Sequence, residues 1–225
     1  MCGRIRQARS LEDYQEHLRW NPFTALEVSD GLKYNVPPGT RPIALHRLGK
    51  GDDQVDRLFW GYRPAGYRRP PVSNARLSAL LKGSPFWKPL LTRRIIVPAD
   101  GWYEWTGEKS ERQPWFISAR DEEPVWLAGI TAWQPGDDHG PETGFAILTQ
   151  ESAGDMAELH NRRPVCLTPG DALAWVDYTL TPEEALEDLA TARPEEDFQW
   201  WRVTRAVGSP QYQMPDCAAP VSEQI

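Results

Sequence analysis

Short β-like runs rich in apolar residues recur along much of the chain, and Gly, Pro or Asp turns separate the runs. This pattern predicts strands at Ile43 to His46, Val55 to Trp60, Arg94 to Val97, Gly101 to Thr106, Pro114 to Ser118, Val125 to Ala132, Phe145 to Thr149 and Trp200 to Val203. Helices are announced by their start signals. Ser10 with Asp13 three residues on predicts a helix reaching about Leu18. Thr168-Pro169-Gly170-Asp171 and Thr181-Pro182-Glu183-Glu184 each place a Thr cap before Pro at the first helical position. After Asn74-Ala75-Arg76 a brief helical stretch is expected, reaching about Leu81. Tyr34 to Thr40 reads as a rigid turn or extended loop, and Lys50 to Asp53 as a turn between strands. The fold class expected is α+β: one domain over residues 2–220, its mostly antiparallel sheet curled like a barrel and flanked by short helices.

Composition narrows the classes of function. The 225 residues include 11 Trp, and the net charge is −7. A mean hydropathy of −0.59 and the lack of any apolar run near 20 residues exclude a spanning helix. The charged stretch from Met1 to Trp20 is not a signal peptide pattern, and a reducing cytoplasm is expected. The three cysteines, Cys2, Cys166 and Cys217, fit no metal spacing and no disulfide framework, so neither metal nor cofactor is expected. Charge is unevenly spread. From Arg57 to Arg94 there are cations and no acidic residue, whereas Asp177 to Asp197 is acidic but for Arg193. A basic face of this kind either binds phosphates or is an ordinary solvated surface.

The candidate chemistry begins at Met1-Cys2-Gly3-Arg4. If Met1 is removed, Cys2 presents an α-amine beside a thiol. The amine can condense with an aldehyde and the thiol can close a thiazolidine, or the thiol alone can attack a carbonyl. Reference pKa values of about 7.7–8.0 and about 8.5 leave both groups partly nucleophilic near neutrality. A frayed, incidental Cys2 is the alternative. In Trp102-Tyr103-Glu104-Trp105, strand alternation puts Glu104 on the face of Trp102 and opposite to Tyr103 and Trp105. A carboxylate among aromatics is either desolvated and suited to acid–base work or a solvent-facing residue. His160, near Arg162 and Arg163, is a proton acceptor or a structural or exposed residue, and the two arginines either keep its ring neutral or clamp phosphates. The Asn74 amide orients a ligand or caps a turn, and Arg76 shares its loop.

In this order and spacing these pieces resemble the SRAP family of abasic-site-processing proteins. The resemblance rests on Met1-Cys2-Gly3-Arg4, Tyr34-Asn35-Val36-Pro37-Pro38-Gly39-Thr40, Trp60-Gly61-Tyr62, Asn74-Ala75-Arg76, Val97 to Trp105, Phe145 to Thr149 and His160-Asn161-Arg162-Arg163-Pro164-Val165. It implies recognition of abasic sites in single-stranded DNA and a covalent thiazolidine crosslink through Cys2 that shields the site. It also implies possible lyase activity and autoproteolytic loss of Met1. By the same resemblance, Asn74 holds the opened sugar or the Cys2 backbone, Glu104 shuttles protons and His160 assists at the sugar. Arg4, Arg76 and Arg162 bind flanking phosphates, Trp105 stacks on a base and Pro38 wedges against the strand. A monomer is expected. Two positions depart from the family: Ser78 where many relatives carry Glu, and Asn161 where Asp commonly follows the histidine.

Two other classes compete. One is the N-terminal-cysteine hydrolases: glutamine amidotransferases, which also begin Met-Cys-Gly, or a thiol peptidase pairing Cys2 with His160. The amidotransferases need an Asn-Gly oxyanion turn that this sequence lacks. A non-catalytic single-stranded nucleic-acid binder needs only the Trp and Arg residues.

Overall fold

The structure is a computed structural model describing residues 2–21, 33–49, 51–108, 111–189 and 192–221. Met1 and Lys50, named above, lie outside them. One sheet has five strands in the order β13 (Phe198–Arg202), β8 (Gln113–Ala119), β7 (Gly101–Thr106), β1 (Ile5–Gln7), β2 (Lys33–Val36). The other runs β11 (Arg162–Pro164), β10 (Phe145–Glu151), β9 (Val125–Thr131), β6 (Arg94–Ala99), β3 (Ile43–His46), β4 (Gln54–Arg57). Two short strands join it, β12 (Cys166–Leu167) on β9 and β5 (Asn74–Arg76) on β10. Among these strands the β5–β10 ladder alone is parallel. The helices are α1 (Leu11–Leu18), α2 (Leu77–Leu81), α3 (Met156–Leu159), α4 (Pro169–Trp175) and α5 (Pro182–Asp188).

The α+β class holds, with the strands divided between two sheets; no closed barrel is found among the described residues. The physical reason lies in the apolar runs. Within β6, Ile95 and Val97 face the core between the sheets, while Ile96 faces a second core under α1, α4 and α5. In β10, Ile147 and its neighbours Ala146 and Leu148 divide in the same way. With helices covering one face of these strands and the second sheet the other, they form the middle layer of a sandwich. A third, smaller core packs Tyr103 and Phe116 against the C-terminal segment through Val203, Val207 and Cys217.

The predicted caps form. The Asp13 N–H donates to Ser10 Oγ at 3.1 Å, and the Asp171 N–H to Thr168 Oγ1 at 3.2 Å. At α5 the Glu184 N–H donates to Thr181 Oγ1 at 3.2 Å, and Glu184 Oε2 accepts from the Thr181 N–H at 2.8 Å. Each such cap contributes about 1 kcal/mol. The Tyr34 to Thr40 segment begins as strand β2 and becomes a turn only after Val36.

The crossing from one sheet to the other positions the site. β6 ends at Ala99 and β7 begins at Gly101, so only Asp100 separates strands of different sheets. Asp100 is buried and accepts from Arg6 Nη1 at 2.6 Å, the Ala8 N–H at 2.9 Å and the Tyr14 hydroxyl at 2.6 Å. A Cβ at Gly101 would lie 2.1 Å from the Ile117 carbonyl oxygen, so only glycine permits this approach.

Candidate active site

β1 carries the N-terminus between β2 and β7. Ile5 faces Trp102 across the ladder, and the Tyr103 N–H donates to the Arg4 carbonyl at 3.0 Å. The same antiparallel register carries Cys2-Gly3 alongside Glu104. Cys2 is fully buried in the core between the sheets, with Trp102, Trp60 and Ile147. Its carbonyl accepts from Asn74 Nδ2 at 2.9 Å. Asn74 Nδ2 also donates to Ser73 Oγ at 3.1 Å, while the buried Asn74 Oδ1 has no hydrogen-bond partner among the described residues. Cys2, just before β1, is thus brought together with Asn74 of β5 and Glu104 of β7, strands of different sheets.

Burial pushes the Cys2 thiol well above its ordinary value, and the negative charge of Glu104 adds to the effect. Glu104 is 4% exposed, and burial raises its carboxyl to about 7. It lies on the Trp102 face of β7, whereas Tyr103 packs in the outer core with Trp105 against it, as alternation requires. A carboxyl at this value is protonated and ionised in comparable amounts near neutral pH, which suits proton transfer in both directions.

His160 follows α3, which packs against β7, the strand of Glu104. The Arg162 N–H lies 3.1 Å from His160 Nδ1, and the Arg162 carbonyl lies equally near at 3.1 Å. Burial, followed by the positive charge of the amino terminus, lowers the imidazole below its usual value, so the ring is neutral at pH 7. Arg162 itself is buried. Its Nη2 donates to the Thr149 carbonyl at 2.8 Å and to Thr149 Oγ1 at 2.7 Å, and its Nε has no partner among the described residues. Arg76, at the exposed end of β5, pairs across the ladder with Thr149, and its charge helps lower the Arg162 pKa after burial.

Arg4 is half-buried, with its guanidinium carbon 5.7 Å from the centre of the Trp105 ring. Trp105 keeps part of its surface in solvent. Pro38 sits in the turn after β2. The turn is fixed by the Gly39 N–H donating to the Trp60 carbonyl at 2.8 Å and the Trp60 N–H donating to the Thr40 carbonyl at 2.9 Å. Trp60 Nε1 reaches the Ser73 carbonyl at 2.9 Å, which joins this turn to the Asn74 strand. Cys166 and Cys217 are buried, and burial raises the Cys166 thiol to about 12, so both behave as packing residues. Among the described residues no cluster of His, Cys, Asp and Glu could hold a metal ion, and no helix is long and apolar enough to cross a membrane.

The residue-by-residue reading passed over two groups. Thr149 lies on the same β10 face as Phe145 and Ile147, so a polar residue extending an apolar face was the signal. Its hydroxyl accepts from Arg162 and lies 3.3 Å from the Ala75 carbonyl, its acceptor. Asn35 gave no signal beyond its place in the Tyr34 to Thr40 motif.

Two sheets meeting at a buried N-terminal thiol, with a raised carboxyl beside it, define a protein built around residue 2. The chain belongs to the SOS response associated peptidase (SRAP) family, whose model matches residues 1–210. It is 35% identical over 230 residues to the abasic site processing protein YedK of Escherichia coli (strain K12), an alignment spanning 98% of this chain and 100% of that one. It is 27% identical to the abasic site processing protein HMCES of Gallus gallus, over 98% of this chain and 78% of that one. Among solved structures, a phage-related protein from Bordetella bronchiseptica shares 40% identity with a TM-score of 0.81, covering 96% of this chain and 100% of that chain.

Proposed function

We propose that this protein processes abasic sites in single-stranded DNA and, once Met1 is removed, joins to them covalently through Cys2. The carrying observation is the seating of Cys2: its carbonyl is held by Asn74 at 2.9 Å beside a buried carboxyl raised to about 7. An abasic deoxyribose equilibrates with an open-chain aldehyde, the partner that a 1,2-aminothiol traps.

The order of steps follows from the charges. A thiol raised by burial is almost wholly protonated, so the α-amine attacks first. Its nitrogen adds to the aldehyde carbon to give a carbinolamine. Protonated Glu104 gives its proton to the departing hydroxyl, water leaves and an iminium remains. The Glu104 carboxylate then takes the thiol proton as sulfur adds to the iminium carbon. The carbon–sulfur bond neutralises the iminium charge, the nitrogen keeps its one hydrogen, and the product is a neutral thiazolidine with Glu104 protonated again. β-Elimination from the iminium would cleave the strand, and ring closure competes with it. Neutral His160 is suited to accept or pass a proton at the opened sugar. Arg76 and Arg162 on either side of Thr149 supply positive charge for flanking phosphates, and the part-exposed Trp105 offers a stacking face. Met1 removal by the protein itself would account for the peptidase in the family name. The crosslink shields the site during the response to DNA damage, in a monomer working in the cytoplasm.

The test is a denaturing gel. Purified protein is mixed with a single-stranded oligonucleotide bearing one abasic site, beside an intact strand and a form retaining Met1. A heat-stable shifted band is expected only with processed protein and the abasic strand. No band from protein whose intact mass shows Met1 removed would overturn the crosslinking reading and leave the hydrolase and simple-binder readings to be assayed.

A further inference from the structure

We propose that Asn35 is a positioning residue that fixes the Arg4 guanidinium for the DNA strand by tying it to the C-terminal segment. The inference rests on the reading of this site as one that binds DNA. Asn35 is fully buried on β2, an edge strand of the five-stranded sheet. Its Oδ1 accepts from Arg4 Nη1 at 2.7 Å. Its Nδ2 donates to three carbonyls of the C-terminal segment: Val207 at 3.1 Å, Ser209 at 2.9 Å and Tyr212 at 3.0 Å. Arg4 Nη1 shares the Val207 carbonyl at 3.1 Å. One amide therefore holds a guanidinium on its oxygen and a chain segment on its nitrogen.

Only an amide meets both demands. A carboxylate would accept from Arg4 but offer no donor to the three carbonyls, and an apolar side chain would lose all four bonds. The segment has a second fastening. Gln213 Oε1 accepts from the Tyr34 N–H at 3.0 Å and the Asn35 N–H at 3.1 Å, and Gln213 Nε2 donates to the Asn35 carbonyl at 2.7 Å. This side chain closes the open edge of β2 as a neighbouring strand would. Because Gln213 already anchors the segment through backbone groups, the Asn35 oxygen is free to act on Arg4. The guanidinium it holds lies over Trp105 at 5.7 Å, and Arg4 Nε has no partner among the described residues. A cation held in place before binding loses less side-chain freedom when a phosphate arrives. Arg4 is the residue through which Asn35 acts; Asn35 itself touches no DNA.

The experiment is a double-mutant cycle in the full chain: wild type, Asn35→Ala, Arg4→Ala and the double variant. Each is read by crosslinking at a range of abasic-strand concentrations and by fluorescence anisotropy with an intact strand. Asn35→Ala should raise the half-saturating DNA concentration about tenfold and leave the maximal rate within about twofold. In the Arg4→Ala background it should add nothing. Asn35→Asp keeps an acceptor for Arg4 and loses the donors to the segment. It should lower the melting temperature yet bind DNA about as well as wild type, and it stands in if Asn35→Ala fails to fold. Additive losses in the cycle would overturn the inference, as would Asn35→Asp weakening DNA as much as Arg4→Ala. A wild type that binds the strand without an adduct would sink the crosslinking reading alone, since the cycle is still read from binding. A wild type that binds no strand would sink both.

Discussion

Replacing Glu104 with glutamine should make the protein more stable above neutral pH and far slower at its chemistry. Burial raises this carboxyl from 4.5 to about 7 in the folded chain. The folded state therefore binds the proton more tightly than the unfolded state. Stability tied to Glu104 is fully present below about pH 4.5, falls as pH rises and is gone above about 7. At roughly 1.36 kcal/mol per unit, the ionised wild type is disfavoured by about 3 kcal/mol at pH 8. Glutamine is neutral at every pH and escapes this penalty. The assay is urea unfolding of wild type and Glu104→Gln at pH 4.5, 6, 7 and 8, with the difference taken at each pH. The difference should be small at the acid end and favour the variant by about 3 kcal/mol at pH 8, equivalent to about 6–12 °C in Tm for a chain of this size. Groups common to both proteins cancel in the difference. The adduct-forming rate of the variant should fall by about 10²–10⁴-fold, the range for loss of a general acid–base group. A flat difference from pH 4.5 to 8, or a variant less stable than wild type at pH 8, would refute the claim that burial sets the protonation of Glu104.

Asn74→Ala removes the bond to the Cys2 carbonyl, and should lower thermal stability by about 1 kcal/mol while slowing adduct formation about tenfold or more. Unchanged kinetics in a stopped gel series would show that Asn74 does not orient Cys2. Gly101→Ala puts a methyl 2.1 Å from the Ile117 carbonyl oxygen and should cost about 3 kcal/mol or more, read as a lower urea midpoint. Arg76→Glu, at an exposed position, should weaken binding of intact single strands and reduce the slope of log affinity against log salt by about 1 or more, with thermal stability within about 0.5 kcal/mol of wild type. Cys2→Ser keeps the α-amine and loses the thiol. It should give an adduct only after borohydride reduction, because the imine forms and cannot close to thiazolidine. A heat-stable band without reduction would remove the thiol from the mechanism.

The sequence made the local elements legible wherever a local rule sets them. Ser10, Thr168 and Thr181 mark helix starts because each side chain captures a backbone N–H within the next turn. Glu104 was legible because alternation alone places it on the Trp102 face. What was not legible depends on pairs far apart in the chain. The division into two sheets is set by which apolar faces find cover, and runs such as Ile95-Ile96-Val97 satisfy either arrangement until the helices are placed. Thr149 acquires its role from Arg162 and Ala75, and Asn35 from Arg4 and three carbonyls more than 170 residues away.

The same long-range pairing supplies what the nucleophile proposed at residue 2 requires. The first residues of a domain usually fray, and a frayed aminothiol would meet its aldehyde without orientation. Here β1 is only Ile5–Gln7, too short to hold itself, yet it is paired on both edges by β2 and β7. Asn74, from the other sheet, fastens the Cys2 carbonyl, so the terminus is tied to both layers. The Asp100-Gly101 crossing is what brings the layers this close, and Glu104 follows it by three residues. Burying the thiol makes it a poor nucleophile on its own, and the same burial raises the carboxyl into the range where it can move protons at neutral pH. On the proposed amine-first route, one desolvated pocket would both suppress unselective thiol chemistry and supply the proton relay.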